Sequence, residues 1–109
     1  MVTRRTIMWQ EIAEQKLDGF IIRTYVAPED IDPAKEFEDE DTIEAILSGR
    51  LEWFQVKITA SKCGVELGSD FLGGCCYESF DDFLGCEYWS DMVETAITEA
   101  REIIEELKK

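Results

Sequence analysis

"LEWFQVKITAS", residues 51–61, alternates apolar and polar side chains: Phe54, Val56, Ile58 and Ala60 fall on one side and Gln55, Lys57, Thr59 and Ser61 on the other. A period of two is that of a β-strand with one buried and one wet face, and such strands belong to antiparallel sheets. Working outward, "SKCG" (61–64) supplies a turn and "VELGSDFL" (65–72) returns as the antiparallel partner, with "GCCY" (74–77) extending it or adding a strand. Upstream, "FIIRTYVA" (20–27) is β-branched and aromatic and places Phe20, Ile22, Thr24 and Val26 on one face, a further strand.

The apolar face of this sheet needs a cover. The longest helical signal is C-terminal, where Trp89, Val93, Ala96, Ile97, Ala100, Ile103/Ile104 and Leu107 form one stripe begun by Ser90 and Asp91 and ended by Lys108-Lys109. Three shorter helices are expected. Thr6 caps one through "IMWQEIAEQKL" (7–17), which Asp18-Gly19 ends; a capping box of Asp41 with Glu44 opens "TIEAILS" (42–48), which Gly49 ends; Ser79 caps "FDDFL" (80–84), which Gly85 ends. "PEDIDPAKEFEDED" (28–41) holds both prolines and reads as an exposed loop. The expected fold is α+β: a single domain over residues 1–109, in which an antiparallel sheet of three or four strands packs against the long C-terminal helix, with short additional helices. Its core should comprise Phe20, Ile22, Phe54, Val56, Ile58, Trp89, Val93, Ile97, Ile104 and Leu107. A chain of 109 residues, 45% hydrophobic, can bury one such core without metals or disulfides.

Charge narrows function most. Twenty-five acids against 11 bases give a net of −14, so nucleic acid and anionic membrane are poor direct partners. The acidity lies in two blocks: residues 29–44 hold nine acids against Lys35 alone, a net of −8, and residues 66–106 hold twelve against Arg101 alone, a net of −11. No apolar run approaches the roughly 18 residues of a membrane span, and the first 20 residues lack the cationic-then-apolar pattern of a signal peptide. The expected location is therefore the cytoplasm of the producing cell, the host cell if the gene is a phage's, and Cys63, Cys75, Cys76 and Cys86 should be reduced thiols.

The motifs that carry chemistry are missing. "GSDFLGG" (68–74) matches neither a dinucleotide fingerprint nor a P-loop, and no lysine follows it; its glycines read as the bulges and bends of a hairpin. The cysteine spacing departs from the C-x₂₋₄-C pairs of zinc sites, and adjacent Cys75 and Cys76 would point to opposite faces of a strand, one of them inward. There is no histidine, hence no ordinary general base, and no G-x-S-x-G, H-E-x-x-H or EF-hand loop. Pairs such as Asp81-Asp82 would make a hydrolase only if carboxylates converged in a cleft. No enzyme activity, catalytic residue, metal or cofactor is assigned.

What remains is the acid itself. Acids three or four apart on a helix repel one another, at a cost of a few tenths of a kcal/mol per pair. A helix that keeps them uncompensated suggests a use for the field, although a soluble surface is the simpler reading. The candidate partner-binding residues are Glu29, Asp30, Asp32, Glu36, Glu38, Asp39, Glu40 and Asp41 in the first block, and Asp91, Glu94, Glu99, Glu102, Glu105 and Glu106 on the last helix. Such a surface offers a cationic groove what a nucleic-acid backbone offers it, so the expected partner is a basic nucleic-acid-binding protein of the host. The alternative is a small-molecule or metal-binding domain built on the Gly/Cys-rich stretch 63–86.

"WFQVKITASKCGVELGSDFLGGCCYES" (53–79) and "YWSDMVETAITEA" (88–100) are similar to small acidic proteins carried by phages, prophages and plasmids, a resemblance that covers about residues 19–105. In size and charge the chain also resembles anti-CRISPR and antirestriction inhibitors, several of which mimic nucleic acid. That likeness implies a protein-binding inhibitor of a host defence system and assigns no catalytic residue.

Overall fold

The structure, a computed structural model, describes residues 8–109. Four strands, β1 (Gln10–Leu17), β2 (Phe20–Pro28), β3 (Glu52–Lys62) and β4 (Val65–Tyr77), pair antiparallel in chain order. Two short helices, α1 (Pro33–Glu36) and α2 (Glu40–Leu47), lie between β2 and β3, and α3 (Phe80–Leu84) and the 21-residue α4 (Glu87–Leu107) follow β4. The fold is α+β, as the alternation at 51–61 and the C-terminal stripe require.

Both outer hairpins close through two-residue turns with positive φ at each central position: Asp18 (52°) with Gly19 (84°), and Cys63 (54°) with Gly64 (78°). This is the type I′ geometry whose twist matches that of the flanking strands. The first turn corrects the expected helix over 7–17, which is β1 over its described part; Thr6 and Ile7 lie outside the described residues. Apolar Ile12 next to Ala13 looked helical because a bulge between Glu11 and Ala13 breaks the period of two. Asp18-Gly19 turns the hairpin instead of ending a helix.

On one face of the sheet, Phe20, Ile22 and Val26 of β2 and Phe54, Val56, Ile58 and Ala60 of β3 are buried beneath Met92, Val93, Ala96, Ile97 and Ala100 of α4. Gly68 of β4 lets the helix come close: a methyl there would overlap the Ala96 carbonyl oxygen and stand 2.9 Å from the Ala100 amide nitrogen. The Trp89 indole N–H donates to the Thr24 hydroxyl at 2.9 Å, which satisfies a fully buried threonine and ties the first turns of α4 to β2. Below it, Phe54 packs edge-on against Phe80 and Phe83, ring centroids 5.0 and 5.9 Å apart, so α3 closes the end of the core.

Several expected details are corrected. Leu107 is 75% exposed, about one turn beyond Ile104, the last side chain of α4 that packs against the core. That helix begins at Glu87, one turn before Ser90 and Asp91, after Cys86, whose side chain makes no capping bond. Asp39, not Asp41, caps α2, its carboxylate accepting from the Asp41 amide at 3.1 Å and the Thr42 hydroxyl at 2.7 Å. "GCCY" belongs to β4, beyond a bulge opposite Phe54 and Val56. Ser79 caps α3 as expected, accepting from the Asp82 amide.

Among the described residues the other face has no covering helix like α4; the segment around α1 touches it at Trp53. Glu11, Tyr25, Lys57 and Phe71 stand in one row across all four strands. The Lys57 ammonium lies 5.1 and 4.8 Å from the ring centroids of Trp9 and Tyr25, and Arg23 pairs with Glu14 at 3.0 Å and Glu11 at 3.5 Å. The expected wet side is thus a layer of long side chains, under which Thr59 and Ser61 are buried. The result is a thin slab, 53 × 40 × 20 Å, whose radius of gyration of 16.2 Å exceeds the ~13 Å of a spherical domain this long.

Candidate functional site

Helix geometry orders the acids of α4. At 100° per residue, Glu87, Asp91, Glu94, Glu99, Glu102, Glu105 and Glu106 fall within an arc of roughly 140° opposite the buried stripe. All seven are exposed. Thr95 and Thr98 complete this face, and with Asp91, Glu94, Glu99 and Glu102 they line one shallow depression. From Asp91 to Glu106 the axis runs about 22 Å, or about one carboxylate per 4 Å, against roughly 3.4 Å per phosphate along one strand of a duplex.

Neutralisation is slight. Glu105 pairs with Lys108 at 3.6 Å and Glu106 with Lys109 at 3.2 Å, both at the exposed helix end, where such pairs contribute little. Arg101, at the flank of the arc, reaches away to Asp18 at 3.4 Å. Among the described residues, Asp91, Glu94, Glu99 and Glu102 form no ion pair.

The first acidic block is put to different uses. The Glu29 carboxylate accepts the Gly74 amide at 2.8 Å and the Asp30 amide at 3.0 Å, filling the bulge of β4. Asp32 caps α1 by accepting from the Ala34 amide at 3.0 Å. Asp39 caps α2, and the Thr42 hydroxyl, followed by the Asp41 amide, holds its carboxyl below the usual carboxylate value. Asp30, Glu36, Glu38, Glu40 and Asp41 are exposed. The segment is anchored through Trp53, whose indole N–H donates to the Ile31 carbonyl at 2.8 Å and whose ring meets Phe37 at 5.3 Å. Trp53 alternates with Phe54, so this anchor lies on the face away from α4. The two acidic blocks therefore occupy different layers of the slab, and they approach around the free edge of β4, where Phe37 and Tyr88 line the same recess.

That recess, about 320 Å³, was not foreseen. It is walled by Phe37, Tyr88 and residues Leu72 to Tyr77, and Tyr88 is 62% exposed. In sequence its aromatic residues are scattered among acids, and only the fold brings them together.

The cysteines form no disulfide, and all four are free. Cys75 points inward, as expected for one of an adjacent pair, and burial pushes its thiol up to about 12; desolvation also raises Cys76. Tyr77 is pushed up to about 12, chiefly by its hydroxyl's bond to the Cys86 sulfur at 3.6 Å. Among the described residues no three His, Cys, Asp or Glu side chains come together to hold a metal. No described helix is long and apolar enough to cross a membrane. Comparison of the chain with family models, with curated proteins and with solved structures finds no match.

Proposed function

We propose that the protein is an acidic, non-enzymatic inhibitor that binds a basic surface of a nucleic-acid-binding host protein, with the outer face of α4 standing in for a nucleic-acid backbone. The observation that carries this reading is the arc of seven carboxylates on α4, five of which have no ion-pair partner among the described residues. A surface needed only for solubility would do as well with both signs interspersed and would avoid the mutual repulsion of acids three and four apart. The net charge of −14 adds a long-range field that speeds encounter with a cationic partner and repels nucleic acid itself. Rigidity is the second support, because Trp89, Gly68 and Ala96 hold the helix against the sheet and fix the charges in register. A defence protein of the host, as in anti-CRISPR or antirestriction systems, is the target class that fits such a mimic.

The test is affinity capture from host lysate at low and high salt. A basic nucleic-acid-binding protein retained at low salt, released at high salt and lost with Glu94→Gln/Glu99→Gln/Glu102→Gln protein supports the reading. Capture of no basic protein at either salt contradicts it.

A further inference from the structure

We propose that the outer edge of β4 receives an extended cationic segment of the partner, which adds as a fifth strand and inserts an apolar side chain between Phe37 and Tyr88. The proposal deepens the function proposed above and rests on it for the sign of the partner's charge.

Three observations converge on this edge. β4 is the last strand of the sheet, so among the described residues its outer side has no strand partner, and Leu72 to Tyr77 form one wall of the recess. Exposed edges of this kind are templates for strand addition; proteins blunt them with charge, lysine above all, or with bulges such as the one opposite Phe54 and Val56. The other edge strand carries Lys16, whereas Val65–Tyr77 contains no lysine or arginine and carries Glu66 and Asp70.

The recess itself is of a size to take one side chain of the adding strand. At about 320 Å³ it is lined by Phe37, Leu72, Tyr77 and Tyr88 together with glycine backbone. Glu29 braces this stretch, its carboxylate accepting the Gly74 amide at 2.8 Å.

The residues that adjoin this lining in sequence are acidic. Glu36 and Glu38 flank Phe37, Glu78 follows Tyr77, and Glu87 precedes Tyr88; all four are exposed. Side chains of an added strand alternate across the edge, so an apolar residue entering the recess has neighbours directed toward these carboxylates. Lysine or arginine is the complementary choice. A second copy of this chain is disfavoured as the occupant, because it would bring together two molecules of net charge −14 along edges that carry no lysine or arginine.

The probe is a seven-residue synthetic peptide of alternating lysine and valine with a central leucine, titrated into isotope-labelled full-length protein and followed by backbone amide shifts. The expected result is saturable shifts concentrated at Leu72–Tyr77 and Tyr88, with affinity falling at least tenfold when serine replaces the peptide's leucine or in Tyr88→Ser protein. Tyr88 is largely exposed, so that variant should fold, and unchanged shifts elsewhere verify it. Affinity indifferent to both changes, or shifts confined to the outer face of α4, would overturn the edge site while leaving the acidic-face reading intact. Loss of lysate capture in Tyr88→Ser protein is the expected companion result, and undiminished capture by that variant likewise overturns the edge site. Failure of the unaltered protein to capture any basic protein would instead contradict the function.

Discussion

Gly68 of β4 lies directly beneath Ala96 of α4, close enough that a single methyl on the glycine would overlap the alanine's carbonyl oxygen. Backbone cannot swing aside as a flexible side chain can, so the only relief is for the helix to lift from the sheet. Gly68→Ala should therefore cost about 3 kcal/mol or more in denaturant unfolding, at the upper end for overpacked sites. Gly85→Ala, where the new methyl meets neighbours no nearer than 3.7 Å, should change stability by less than about 1 kcal/mol. Equal effects from the two would mean that the helix does not sit where described.

Glu29 tests the division of labour within the first acidic block. Its carboxylate satisfies the Gly74 amide inside the bulge, so Glu29→Ala should lower stability by about 1–2 kcal/mol and speed hydrogen exchange at Gly74. Glu40→Ala, an exposed acid in the first turn of α2 outside this bond, should change global stability by less than about 0.5 kcal/mol. A Glu29→Ala protein of unchanged stability would remove the bond from the account.

The buried thiol predicts a loss of stability in alkali. Cys75 stays protonated in the folded chain up to about 12, whereas the unfolded thiol ionises near 9.0. Above that value the unfolded state binds fewer protons than the folded one, so unfolding free energy falls as pH rises from about 9 toward 12. Tyr77, pushed from 10.0 to about 12, acts in the same direction. Denaturant midpoints measured across this range should decline, and less steeply in Cys75→Ala protein. Thiol reagents at neutral pH should label exposed Cys63 at once and Cys75 only on unfolding.

Repulsion along α4 has a measurable cost. Glu99→Gln with Glu102→Gln removes like-charge pairs three and four residues apart and should raise stability by a few tenths of a kcal/mol per pair at low ionic strength. The gain should vanish near 1 M salt, where screening acts within about 3 Å. The same substitutions should weaken partner binding, and a change that stabilises the fold while harming its function is what a functional charge row requires.

Much of the architecture was legible because burial imposes periodicity. The alternation at 51–61 identified β3, the stripe from Val93 to Ala100 identified the covering helix, and Ser79 marked the start of α3. In β1 the bulge at Ile12 breaks the period of two and leaves a helix-like spacing, and Asp18-Gly19, a strong hairpin signal, has the same composition as a helix end. Leu107 keeps the stripe's spacing but lies beyond Ile104, the last side chain of α4 that packs against the core; spacing alone does not reveal where that packing stops. The acids of α4 could be placed on one face by counting residues. The capping roles of Asp32 and Asp39, the bulge contact of Glu29 and the meeting of Phe37 with Tyr88 are tertiary facts that no local spacing encodes.

The most direct test is competition: whether the protein displaces duplex DNA or RNA from the basic protein it captures, measured by fluorescence anisotropy at 50 and 200 mM salt. The account predicts mutually exclusive binding, an affinity for the captured protein that falls by about tenfold or more between the two salts, and loss of competition in Glu94→Gln/Glu99→Gln/Glu102→Gln protein. Simultaneous binding of nucleic acid and this protein, or an affinity flat in salt and unchanged by those substitutions, would contradict it.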